Sequence, residues 1–138
     1  MKNQLFALIG LGLLLATASA YAQTGLVKAN VPFNFIVNKT EIPAGSYSIQ
    51  NISTNGQAMV IQSADRNLVQ VILPNSCQSS KPQEKTKLVF HRYGDRYFLA
   101  QVWVAGMDRG SEFKSSEREA EMAMDYPVQD VVVVATLR

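Results

Sequence analysis

Leu88-Val89-Phe90-His91-Arg92-Tyr93-Gly94-Asp95-Arg96-Tyr97-Phe98-Leu99-Ala100-Gln101-Val102-Trp103-Val104 consists of two strand-sized runs rich in branched and aromatic residues, parted by a turn. Such runs, joined by a segment whose glycine can take a positive φ, read as a β-hairpin. The turn falls at Tyr93-Gly94-Asp95-Arg96, but its register stays open. A three-residue loop at Gly94-Asp95-Arg96 puts Leu88, Phe90, Phe98, Ala100 and Val102 on one face. His91, Tyr93, Tyr97, Leu99 and Trp103 then share the other. A two-residue loop mixes those sets, because side chains alternate and a one-residue shift exchanges faces.

Upstream of the hairpin the same chemistry repeats. Val31, Phe33, Phe35 and Val37 alternate with Pro32, Asn34 and Ile36, and the proline marks an edge or a strand start. Polar Asn38-Lys39-Thr40-Glu41 and Ile42-Pro43-Ala44-Gly45 read as bends. Tyr47 and Ile49 alternate with Ser48 and Gln50. Asn55-Gly56 is a hairpin-turn signal ahead of Met59-Val60-Ile61, and Asp65-Arg66-Asn67 separates that strand from Leu68 to Leu73. Pro74 to Glu84 lacks periodicity and reads as a mobile surface loop.

Downstream, Gly106 and Gly110 bracket another loop. Ser116-Glu117-Arg118-Glu119 fits a capping box, with Ser116 accepting from the third helical amide and Glu119 reaching back. A helix of about two turns follows, with Ala120, Ala123 and Met124 expected inward. Asp125-Tyr126-Pro127 stops it. Asp130 to Leu137 reads as a last strand, and the valines from 131 to 134 point to a central or covered position. The whole predicts a mainly β domain: a single antiparallel β-sandwich or flattened barrel of seven to eight strands, with one short helix near the C-terminus.

The N-terminus reads as an address. Met1 to Gln4 carries one cation, Leu5 to Ala18 is apolar or small apart from Thr17, and Ala18-Ser19-Ala20 and Ala20-Tyr21-Ala22 fit small-x-small cleavage sites. This is the order of a Sec-type signal peptide. The apolar run is 14 residues, short of the ~20 that a membrane span needs. Residues 1–22 are therefore expected to be cleaved, leaving 23–138 as a single β-rich domain, periplasmic or extracellular. No cysteine follows either cleavage site, so no lipid anchor is expected.

Composition excludes several classes. Thirteen Lys and Arg stand against eleven Asp and Glu, and loss of Lys2 leaves a net charge of about +1. No cationic run marks a nucleic-acid or membrane footprint. Cys77 is the only cysteine, so an intramolecular disulfide is impossible and an intermolecular one is the alternative.

Several segments together are similar to a family of small exported bacterial proteins with the pattern V-x-F-x-F, L-P-A-G-x-Y, L-V-F-x-R-Y-G-x-x-Y-F-L and V-W-x-x-G. A Gly-led L-P-x-S-x-x-E-x-x-L-A segment closes that pattern. They appear here as Val31 to Phe35, Ile42 to Tyr47, Leu88 to Gly94 with Tyr97-Phe98-Leu99, Val102 to Gly106, and Gly110 to Ala123. Phe113-Lys114 stands where Leu-Pro is expected. The resemblance implies an exported β-rich domain and no particular activity.

Candidate chemistry is sparse. His91 is the only histidine, next to Arg92, and is a conceivable general base. One His and one Cys cannot make the usual zinc set, and no G-x-S-x-G elbow or glycine-rich phosphate loop occurs. No cofactor is expected. His91, Tyr93, Tyr97 and Trp103 form the most suggestive cluster, since a sheet face of this kind can bind a sugar, a peptide or an apolar small molecule. The same residues also suit a core and strand ends. The sequence thus points to a non-catalytic binding or envelope-associated module with a small-molecule or envelope partner. Its alternatives are an assembly protein pairing through sheet edges or Cys77, and a small enzyme or enzyme inhibitor.

Overall fold

The computed structural model describes residues 26–52 and 57–137; the leader and the Asn55-Gly56 turn lie outside them. In chain order the elements are β1 (Leu26–Val31), β2 (Phe35–Val37), β3 (Thr40–Ile42), β4 (Gly45–Asn51), β5 (Met59–Ser63), β6 (Val69–Ile72) and β7 (Asn75–Gln78). Then come β8 (Lys87–Tyr93), β9 (Arg96–Trp103), β10 (Arg109–Glu112), α1 (Glu117–Asp125), β11 (Gln129–Val134) and β12 (Thr136–Leu137). Two sheets pack together without closing into a barrel, and the one helix among the described residues lies near the C-terminus. The first sheet has the order β12-β1-β4-β5-β6. The second has β11-β8-β9-β10-β7, with the β2–β3 hairpin joined to β9.

Strands are more numerous than seven or eight because the chain cuts apolar runs in two and changes sheets. Pro32 cannot donate to a ladder. Accordingly β1 ends at Val31 in the first sheet and Phe35 begins β2 in the second. The run from Asp130 to Leu137 divides in the same way at Ala135, whose amide donates to the Thr86 carbonyl over 2.8 Å. β11 stays in the second sheet and β12 pairs with β1 in the first.

The β8–β9 hairpin takes the two-residue loop. Tyr93 pairs with Arg96 across Gly94-Asp95, and Gly94 has a φ of 62°. His91 then faces Phe98 and Phe90 faces Leu99, while Val89 pairs with Gln101. Ala100 is left over as a β-bulge, which restores the alternation beyond it. Leu88, Phe90, Leu99 and Val102 consequently enter the main core, whereas His91, Tyr93, Phe98 and Trp103 share the outer face.

Sheet-on-sheet packing buries Val27, Val31, Tyr47, Ile49, Met59, Ile61 and Ile72 from the first sheet against Phe35, Ile42, Leu88, Phe90, Leu99 and Val102 from the second. At ~1.5–3 kcal/mol for each fully buried large apolar side chain, this layer dominates the stability.

Three local expectations change. Residues 75–78, read as part of a mobile loop, form β7 and pair with β10, Cys77 opposite Gly110. Backbone hydrogen bonds hold a polar edge strand that shows no apolar period. The valines of β11 are not central: β11 pairs with β8 at the end of its sheet, and Val132 and Val134 are 52% and 61% exposed. Only Val131 and Val133 turn toward the core. Finally, α1 turns Glu119 and Met122 inward, while Ala120 and Ala123 are exposed and Met124 is 87% exposed. The sheet beneath offers hydrogen-bond donors, so a carboxylate fits there better than an apolar side chain.

Candidate functional site

The outer face of the second sheet carries a polar cluster around Glu119, apart from the exposed Arg96–Glu41 ion pair. Ser116 caps α1, its side chain accepting from the Glu119 amide over 3.2 Å. The Glu119 carboxylate does not complete the capping box. Instead its Oε2 accepts from the Tyr93 hydroxyl at 3.0 Å and the Ser115 hydroxyl at 3.2 Å, and lies 3.3 Å from His91 Nδ1. On the other side of the ring, His91 Nε2 is 3.6 Å from Oδ1 of Asp130, its partner across the β8–β11 pairing. Ile36, Tyr93, Phe98 and Met122 form a small apolar cluster alongside.

Burial, and then the hydrogen bond to and charge of Glu119, push the Tyr93 hydroxyl up to about 12, with Asp130 adding to the rise. The phenol is therefore a fixed donor at ordinary pH. Both ring nitrogens of His91 face carboxylates, and the Ser115 hydroxyl is turned to Glu119. A nucleophile needs a base within reach, and this histidine offers none of its nitrogens to a hydroxyl or thiol. The cluster is suited to holding α1 on the sheet.

The other two aromatics of the sequence-derived set lie elsewhere. Tyr97 turns to the inner side, stacked on Phe33 at 3.8 Å between centroids, with the Arg92 guanidinium 5.5 Å from its ring. Trp103 is 7% exposed and donates through Nε1 to Gln101 at 2.9 Å. Gly110 lies on its indole, where a Cβ would approach ring carbons to 2.7 Å. His91 and Tyr93 are thus brought together around Glu119, and Tyr97 and Trp103 are separate from them. Cys77 is half-buried. Burial and then the charge of Glu112 push its thiol up against a smaller opposing effect of the Gly110 amide. A protonated thiol is a poor nucleophile.

Toward the end of β9 remote from the Gly94 turn, the sheets part into a cleft of about 720 Å³. Val27, Met59 and Val102, each no more than 4% exposed, form its floor, and Val104, just past β9, stands above them at the side. Met107 and Leu137 flank it, and Asn75, Ser76, Arg109 and Ser111 are polar groups among its lining. The volume lies within the range of small-molecule sites, as does a largely apolar lining with a few polar groups. Another concavity, of about 690 Å³, lies over the outer face of the first sheet, where Lys28, Ser48, Gln50 and Gln62 line it together with apolar Leu26, Ala64 and Val134. Its floor is a strand face on which polar and apolar side chains are mixed.

Among the described residues no group of three His, Cys, Asp or Glu side chains is placed to hold a metal ion. No described helix is long and apolar enough to cross a membrane.

Compared with protein-family models, curated proteins and solved structures, the chain matches none of them.

Local sequence patterns do not mark the cleft, because its walls come from the ends of strands far apart in the chain. The one nearby signal is the Val102 to Gly106 segment with Gly110. There, alternation places Val102 inward and Trp103 outward.

Proposed function

We propose that this protein is an exported, non-catalytic binding module whose ligand site is the cleft between the sheets. The observation that carries the reading is the cleft whose floor is Val27, Met59 and Val102 and whose apolar rim is Val104, Met107 and Leu137. Export rests on the leader-like order of residues 1–22, and the resemblance to small exported β-rich proteins supports it. The test is titration of the protein, purified after export, with the apolar fluorophore N-phenyl-1-naphthylamine. Saturable one-to-one binding is expected, with the melting temperature rising by mass action. Ala105→Trp, which fills the cleft from its lining, should abolish binding. Absence of saturable binding, or binding unchanged by Ala105→Trp, overturns the reading.

A second reading, assembly through sheet edges, is favoured by β11, a short apolar strand that among the described residues is paired on one side only, with Val132 and Val134 exposed. Exposed apolar edges are templates for further pairing. It expects an oligomer that grows with concentration and is dispersed by Val132→Lys. A monomer at all concentrations removes it.

A further inference from the structure

The cleft carries information about its ligand beyond its apolar walls. Among the described residues that line it Arg109 alone is charged, and no Asp or Glu is among them. Arg109 pairs across the β10–β7 ladder with Gln78, and Ser111 pairs with Ser76. Alternate residues of a strand share a face. Arg109 and Ser111 therefore lie on the same side of β10 as each other, and Ser111 is opposite the core residue Val102 on β9. Gly110, between them, faces the Trp103 indole. One guanidinium and two hydroxyls, from Ser76 and Ser111, thus stand on the cleft side, next to walls of Val, Met and Leu.

No carboxylate pairs with Arg109 among the described residues. A guanidinium beside hydroxyl donors is complementary to an anion, and its planar fork suits a carboxylate or sulfate. A neutral apolar ligand would leave these donors unused, and a cationic one would meet a like charge.

Resting on the reading of the cleft as the ligand site, we propose that the ligand is a single-chain anionic amphiphile. Its alkyl chain lies along Val104, Met107 and Leu137, over the floor of Val27, Met59 and Val102, and its anionic head is held by Arg109 with Ser76 and Ser111. Binding is non-covalent.

The experiment compares decanoate, decyl sulfate, decan-1-ol and decyltrimethylammonium by calorimetric titration, each below its micelle concentration. Decanoate and decyl sulfate should bind about tenfold more tightly than the alcohol, the ratio that ~1.4 kcal/mol of charge-assisted hydrogen bonding supplies. The cation should bind most weakly. Arg109→Gln should remove the advantage of the anions and leave decan-1-ol unchanged, and Arg109→Lys should restore part of it. Circular dichroism of the variants keeps a folding defect distinct from a binding one. Equal affinities of the anions and the alcohol, or an anion preference that survives Arg109→Gln, overturn the assignment while the cleft remains a site. If none of the four binds, the cleft reading fails with it.

Discussion

The Tyr93 hydroxyl donates to Glu119 Oε2 over 3.0 Å, tying a strand of the sheet to a helix 26 residues further along the chain. Apart from Met122, packed on Ile36, Tyr93 and Phe98, the helix puts little apolar surface on the domain. Its attachment depends largely on this carboxylate. Tyr93→Phe is expected to cost about 2 kcal/mol, the scale of a hydrogen bond to a charged group, and Ser115→Ala about 1 kcal/mol. Urea unfolding measures the loss. Amide exchange should show it concentrated in α1 rather than in β4 or β5.

The same bond makes stability depend on alkaline pH. Tyr93 is raised from 10.0 to about 12, so the folded state holds this proton more tightly than the unfolded chain. Its contribution is complete below pH 10 and is lost as pH rises toward 12. Tyr47, also raised by burial and then by Asp65, acts in the same direction. The urea midpoint should fall above pH 10, and Tyr93→Phe should flatten that fall. A midpoint independent of pH between 9 and 11.5 contradicts the placement of Tyr93 (window taken from ~10 to 12).

How much of this was legible in the sequence depends on whether the determinant is local. The hairpin, the Ser116 cap and the stop at Tyr126-Pro127 rest on neighbouring residues and are found where the pattern puts them. The inward face of α1 differs from the expectation because helix propensity ranks Ala and Met as good formers without saying what lies underneath. Beneath it are the Tyr93 hydroxyl and His91, which select Glu119. Ala100 escaped because a bulge changes register without a composition signal. The cleft escaped because Val27, Met59, Val102 and Leu137 meet only after both sheets form.

Asn38 and Lys39 join β2 to β3 with φ values of 58° and 86°, in a two-residue turn flanked by the Val37–Thr40 pair. Asn tolerates this conformation, whereas a lysine there is strained by its Cβ. Lys39→Gly should stabilise the protein by about 1 kcal/mol, read as a higher urea midpoint with an unchanged slope.

Gly110 has no room for a methyl group between the Trp103 ring, 2.7 Å from its Cβ position, and the Val102 carbonyl at 2.9 Å. Gly110→Ala should therefore cost about 1–3 kcal/mol through overpacking. Trp103→Leu, made in the Gly110→Ala background, should recover part of that loss. A double-mutant cycle with no coupling between the two positions contradicts the contact.

Native mass spectrometry of the protein purified gently from its own compartment shows whether the cleft is filled. A one-to-one adduct with the mass of a single-chain anionic amphiphile is expected, replaceable by added decanoate and absent in Ala105→Trp. A protein that is bare as isolated and takes up no decanoate contradicts the proposed ligand.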